Sequence, residues 1–464
     1  MVQQRHLIAQ GSSHWAAAIR EAAAAVMELV KREEMQSLLG PGAAIRRLMG
    51  LWWPRRGRGR ARSAACATVS LVSLAWLPTF SGLKLIIDPP PELEEIAMCY
   101  LLIFACTGFL TKAAFFIYKG DTMKELLQLL SDTRRLYGNG EISEVIRSSY
   151  LQQSRRVYRY MQGAICLAMV FWVSTPILVR AFLSSDEDSP ESYRLFPVPL
   201  WFPGNIYRSP TYEILYGVQS FSVLVAAQST VCIDSSFVHM MLMVSAELEV
   251  LNENIPVVQK TNAETKRYGA QESRIIIDGK TKGLTFRRNG HFTRKALSEE
   301  DSDEKMRLQL VKNIHHHQVI LRSVLLLQNI MTVSIFILLF VNMVDLCTCI
   351  FVGAVLLQRD GNVTKALKPL STVPPLLYET GLFCIFGQIL TDQSEKLAGS
   401  AFSCGWVDCD DRFKRDLLFL LMSARKPLEI TVGKMSKLSK QMFVQVLNGS
   451  YGLLNLLYHF QSIQ

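Results

Sequence analysis

Charged residues make up only 19% of the 464-residue chain while hydrophobic ones make up 49%. That shortage excludes the wetted surfaces of two or three soluble domains and suits an integral membrane protein. The sequence has no Walker-A run, no Gly-rich nucleotide loop and no nucleophile elbow, so no motif for an enzyme stands out. It does not lack cysteine, but Cys66, Cys99, Cys106, Cys166, Cys232, Cys347, Cys349 and Cys384 sit in or beside apolar runs, as small hydrophobes rather than a secreted disulfide framework. Cys404 and Cys409 are too few for a closed zinc site and no His stands at ligand spacing, so neither metal nor cofactor is expected. No cleavable leader is visible, because Ala16 to Val30 is Ala-rich but cut by Arg20, Glu21 and Glu28. The first true span is therefore expected to act as its own signal.

The net charge of +10 is a nucleic-acid signal only if its distribution allows it, and here it does not. Residues 1–63 carry eleven Lys or Arg against four acids, densest at Arg55, Arg56, Arg58, Arg60 and Arg62 just before the first long apolar run. A basic run abutting a hydrophobic helix is a juxtamembrane anchor and marks the cytoplasmic side, so 1–63 reads as a cytoplasmic segment with no nucleic-acid partner. The first span is read over Ala64 to Ile87. The turn after it, Asp88 to Glu95, contains no Lys or Arg, and the second span follows over Ile96 to Tyr118. Lys119 to Arg156 then carries seven basic residues around an amphipathic stretch, Met123 to Leu130, on the cytoplasmic side.

A third span over Met161 to Leu183 leads to an acidic, aromatic and Pro-rich outer loop holding Asp186, Glu187, Asp188, Glu191 and the run Phe196 to Pro203. The fourth apolar run, Tyr212 to Leu251, and the fifth, Val311 to Leu357, are each nearly twice what a bilayer needs, which projects their cytoplasmic ends on the order of 25 Å beyond the lipid. Helices 4, 5 and 6 are all overlong and are expected to form a cytoplasmic anchor region. His315, His316 and His317 fall on that base; consecutive positions point in different directions, which favours solvated or packing histidines over a metal cluster. Between the two long helices, Gln259 to Lys305 is polar with little periodicity and is expected to be a disordered cytoplasmic loop. Gln358 to Pro369 carries the sequon Asn362-Val363-Thr364, an expected outer glycosylation site, whereas Asn448-Gly449-Ser450 lies inside the last helix and should be silent. Lys84 and Arg180 can snorkel, but Asp345 is nearer mid-span and needs a partner or a wet cavity.

The last run, 430–464, reads as a seventh span about one bilayer thick. On a helical projection Gln441, Gln445, Asn448, Gly452 and Asn455 fall within an arc of about 80°, with Phe443, Val446, Leu447, Leu453 and Leu454 on the remainder. Polar side chains in a membrane face either a partner helix or a water-filled path, and spacing alone leaves both open.

The residues around this run carry a resemblance. Cys384, Gly387, Ser394, Leu397, the pair Ala401-Phe402 and Trp406, then Lys426-Pro427-Leu428 and Ser450-Tyr451-Gly452, are similar in kind and order to the C-terminal signature of insect odorant receptors. Gly50-Leu51-Trp52-Trp53-Pro54 resembles that family's pre-membrane element. Phe402 and Gly452 depart from the commoner Tyr and Ser, as in a divergent, odour-tuning member. The resemblance implies an all-α integral membrane fold of seven transmembrane helices, with the N-terminus cytoplasmic and the C-terminus extracellular. It also implies a receptor-channel domain over 64–464, a hetero-tetramer with a shared co-receptor in a dendritic plasma membrane, and a pore built from the last helix. With it in view, Gln441, Gln445, Asn448 and Asn455 are expected to line that pore. The outer halves of spans two, three, four and six offer Tyr100, Phe104, Trp172, Thr175, Tyr216, Gln219, Tyr378 and Phe383 as a candidate pocket for a small volatile, with ordinary interhelical packing as the competing role. A gustatory-type receptor channel should end in a Thr-Tyr and Gln-Phe element that is not seen; a metabotropic seven-helix chemoreceptor requires the opposite orientation; a transporter should show an inverted repeat.

Overall fold

The computed structural model describes residues 37–51, 59–91, 93–137, 140–183, 194–204, 206–278, 290–359, 363–433 and 436–463. Long apolar runs broken by short polar turns become helices: α1 (Ala43–Leu48), α2 (Gly59–Ile87), α3 (Leu93–Tyr118), α4 (Gly120–Tyr137), α5 (Glu141–Leu183), α6 (Thr211–Asp278), α7 (Gly290–Arg359), α8 (Val363–Leu370), α9 (Val373–Phe402), α10 (Asp411–Ala424) and α11 (Lys440–Ile463). A two-stranded antiparallel hairpin, β1 (Thr431–Val432) on β2 (Ser436–Lys437), leads into α11.

Among the described residues, six segments are long and apolar enough to cross a membrane: Ala61–Ile87, Glu95–Tyr118, Glu141–Leu178, Thr211–Pro256, Asp303–Gln358 and Ala366–Phe402. The seventh expected span, α11, is not among them. α11 has the length, since its 24 residues rise about 36 Å. Its Gln, Asn, Gly and His residues dilute its apolar content, so composition alone does not make it a span. A difference from expectation appears at both ends of 259–305. α6 continues to Asp278 and α7 starts at Gly290, so the backbone on both sides is helical where an unstructured loop was expected; 279–289 lie outside the described residues. Thr261 to Arg274 lacks the periodicity that burial demands, yet Lys, Glu, Gln, Ala and Arg are good intrinsic helix formers and the helix already nucleated upstream propagates through them.

α6 is the central helix, packed against α2, α3, α5, α7 and α9. Every residue from Ser229 to Leu248 is buried. Burying a charge is costly unless it is paired and hydrogen-bonded, and the ionisable residues of this stretch have partners. Asp234 accepts from Lys112 Nζ at 2.7 Å. Glu247 takes a two-pronged contact from Arg147, Nε to Oε1 at 2.9 Å and Nη2 to Oε2 at 2.8 Å, with His316 Nε2 at 3.4 Å. His239 donates from Nε2 to the Leu38 carbonyl at 3.1 Å, so its Nδ1 accepts the Ser154 hydroxyl at 2.8 Å. Of the three consecutive histidines, His315 is exposed while His316 and His317 are buried, and His316 stacks on Tyr137 with ring centroids 4.3 Å apart.

The segment before α2 is held to α6 by Arg46, whose guanidinium donates to the carbonyls of Leu39, Pro41 and Cys232. Burial lowers the Arg46 pKa to about 10, which leaves it charged at neutral pH. Gly50 closes this turn at φ +71°, where a Cβ would stand 2.3 Å from the Ala67 nitrogen. On α4 the amphipathic stretch buries Met123, Leu126, Leu127 and Leu130, as its spacing predicted.

Candidate functional site

Two cavities lie beneath the loop between α5 and α6. The outer one, about 260 Å³, is lined by Lys84, Glu95, Thr175, Arg194, Tyr207 and Lys368 among others. The inner one, about 100 Å³, is walled largely by apolar side chains such as Leu77, Leu102, Ile165, Trp172 and Val223, with Thr230, Asp345, Thr372 and Glu379 as its main polar members. Trp172 joins the two. Its indole donates to Thr372 Oγ1 at 2.9 Å, and Lys368 Nζ sits 4.9 Å above its ring while also donating to the Pro197 carbonyl. Trp76, Phe80 and Phe202 stack nearby and pin the outer loop to α2, helped by Trp201 N–H to the Phe80 carbonyl at 3.2 Å.

Of the eight residues expected to contact a volatile, Trp172 lines the inner cavity and Thr175 the outer one. Tyr216 donates to the Val173 carbonyl, and Gln219 accepts the Val198 N–H at 3.4 Å; both brace the cavity walls from behind. Tyr100 is 50% exposed on α3, Phe104 is half-buried on the same helix, and neither lines a cavity. The Tyr378 hydroxyl donates to the Val157 carbonyl at 3.4 Å, and Phe383 lies in the main core. Tyr378 stands off the inner cavity by register: one residue along a helix turns a side chain by about 100°. Pro375, Leu376 and Glu379 face the cavity instead.

Sequence reasoning passed over Glu379, Thr230 and Thr372. It singled out Asp345 as needing a partner or a wet cavity, and Asp345 does line the inner cavity. Behind Glu379, Lys112 serves two carboxylates, Asp234 at 2.7 Å and Glu379 at 3.1 Å, while Asn342 donates to Glu379 Oε2 at 3.4 Å and to Thr380 Oγ1 at 3.0 Å.

On α11 the polar stripe points away from the rest of the chain. Gln441, Gln445, Asn448 and Asn455 are exposed, whereas Val446 and Ser450 are buried and Ser450 donates to the Met343 carbonyl on α7 at 3.1 Å. Val444 and Tyr451, beside the stripe, are exposed as well. The stripe therefore does not glue α11 to this chain's own helices. Asn362 lies outside the described residues.

Fold and cavities together define a multi-pass helical membrane protein with a small cavity of apolar walls at one end of its bundle. The family model described as 7tm Odorant receptor matches residues 92–451. The chain belongs to this family, the insect odorant receptors. Among its relatives are Putative odorant receptor 85e of Drosophila melanogaster, 22% identical over 88% of this chain and 87% of its own length, and Odorant receptor 10 of Aedes albopictus, 24% identical over 57% and 60%. The fold is similar to that of the olfactory receptor OR5 from Machilis hrabei in complex with eugenol, at TM-score 0.70 and 13% identity, covering 94% of this chain and 98% of that one.

Proposed function

We propose that this chain is an odour-tuning subunit of a ligand-gated cation channel that binds a small volatile in the cavities around Trp172 and conducts together with a co-receptor subunit. In this reading the N-terminus is cytoplasmic, α11 is the seventh span, the C-terminus is extracellular, and the overlong helices form a cytoplasmic anchor for a hetero-tetramer in the plasma membrane of a sensory dendrite. The observation that carries it is the exposed stripe Gln441, Gln445, Asn448 and Asn455, next to a face that packs through Val446 and Ser450. In lipid an outward row of amides is expensive, so the row must meet water or another subunit. A pore shared between subunits supplies both. Trp172 and Thr175 are the two expected ligand contacts that line the cavities, and eugenol, bound in the Machilis receptor complex, is a small molecule of the kind such cavities accept.

α11 carries no acid, so it offers no selectivity ring of its own, and cation preference must draw on partial charges, on the mouth or on the partner's helices. Expression of this chain with the co-receptor should therefore give odorant-evoked cation current, and expression alone should give none. A full odorant-evoked current from the chain alone would overturn the shared pore.

A further inference from the structure

The inner cavity holds a polar imbalance that the described residues leave uncorrected. Asp345 is 3% exposed and its Oδ1 has no hydrogen-bond partner among the described residues. Thr230, 4% exposed, likewise leaves its hydroxyl unpartnered among them. Both side chains line the same cavity. Buried acceptors left without donors are uncommon and call for a specific explanation. The nearby charges sharpen the point: Lys112 is already shared between Asp234 and Glu379, so the described residues supply one buried ammonium to two carboxylates and none to the third, Asp345.

We propose that the inner cavity selects a small volatile amine, whose ammonium pairs with Asp345 and donates to Thr230 while its hydrocarbon part fills the apolar walls beneath Trp172. This rests on the receptor reading above and names the ligand class of that site. An alcohol donates a single hydrogen bond and brings no charge, whereas an ammonium brings three donors and the counter-charge that a buried carboxylate lacks. An ester or ketone brings neither donor nor charge and so cannot pair with the Asp345 carboxylate. The walls are almost entirely hydrocarbon, which suits a short alkyl or aryl chain. Lys84, Arg194 and Lys368 line the outer cavity and do not attract a cation, so the preference is a property of the inner cavity and is tested by substitution there.

The test is current recording from cells expressing the full chain with the co-receptor, using hexylamine, hexanol and hexyl acetate as probes of matched chain length. Hexylamine should act at the lowest concentration. Asp345→Asn should raise its half-maximal concentration at least about tenfold relative to that of hexanol, as loss of a charge-assisted buried contact does. Asp345→Glu, which keeps the charge, should retain the preference for the amine. Hexanol or hexyl acetate acting while hexylamine is weaker or silent overturns the amine assignment and leaves the receptor reading standing. Equal shifts for amine and alcohol in Asp345→Asn overturn it too. If Asp345→Asn does not reach the surface, the wild-type ranking alone decides. Silence to a broad panel of amines, alcohols, esters, aromatics and terpenes, with both subunits at the surface, overturns the receptor reading together with the inference.

Discussion

Gly387 shows what a single position in the C-terminal signature does. A Cβ there would stand 2.7 Å from Leu438 Cγ and 2.9 Å from the Leu438 carbonyl oxygen, and Leu438 ends the hairpin segment that delivers α11. Backbone cannot give way as a flexible side chain can, so Gly387→Ala should cost about 1–3 kcal/mol and displace the entry to α11. Gly163→Ala on α5, where nothing lies within 4 Å, is the matched control. Thermal unfolding in detergent should show a lower midpoint for the first and little change for the second; equal midpoints would remove this account. The other signature residues also find local reasons. Ser394 Oγ accepts the Leu428 N–H at 2.8 Å, which ties the Lys426-Pro427-Leu428 turn to α9. Cys384, Leu397 and Ala401 are fully buried, while Phe402 is 65% exposed with its ring 6.0 Å from Trp406, so the departure from Tyr costs this chain's core nothing. The order of these residues was legible as a resemblance. The reasons for Gly387 and Ser394 were not, because both depend on contacts with residues 30 or more positions away that no local pattern encodes.

At the scale of elements, hydropathy marked the six apolar helices well, because desolvation is read from composition alone. It read less well wherever the answer depended on which face a helix presents. Tyr378 and Glu379 differ by one position, and only one of them reaches the cavity. In the extensions of α6 and α7 intrinsic propensity outweighs burial, which hydropathy does not mark. On α11 the polar arc was visible in the sequence, but the choice between glue and pore needed its orientation, and the four amides turn out exposed. From that follows a prediction for the element. In the paired channel, Gln445→Ala or Asn448→Ala should change relative cation permeability or block while keeping the order of odorants, because these side chains are far in sequence and in packing from Trp172. Trp172→Phe, which deletes the hydrogen bond to Thr372, should do the reverse. Unchanged reversal potentials across substitutions of all four stripe residues would return α11 to a packing role.

For the molecule as a whole, orientation is the property on which the rest hangs. The argument for it is charge: eleven basic residues precede the first span, none lie in Asp88 to Glu95, and seven follow the second, the alternation expected of a cytoplasmic N-terminus. Carrying that alternation through six spans puts the segment between α7 and α8 outside and the stretch from Phe402 to Lys440 inside. α11 must then cross if the C-terminus is to be extracellular, and its exposed amides are tolerable in lipid only at a wet or protein-covered face. Asn362 is the natural reporter, since the sequon is modified only where it reaches the lumen during synthesis. Asn362→Gln should abolish a glycosidase-sensitive mobility shift, and Asn448→Gln should leave it intact because that sequon is helical and its backbone hydrogen bonds are already made. In intact cells a tag at the C-terminus should be reached by antibody and one at the N-terminus should not. A shift lost only with Asn448→Gln, or the opposite pattern of antibody access, would invert the chain in the membrane and with it the placement of cavities, anchor and pore.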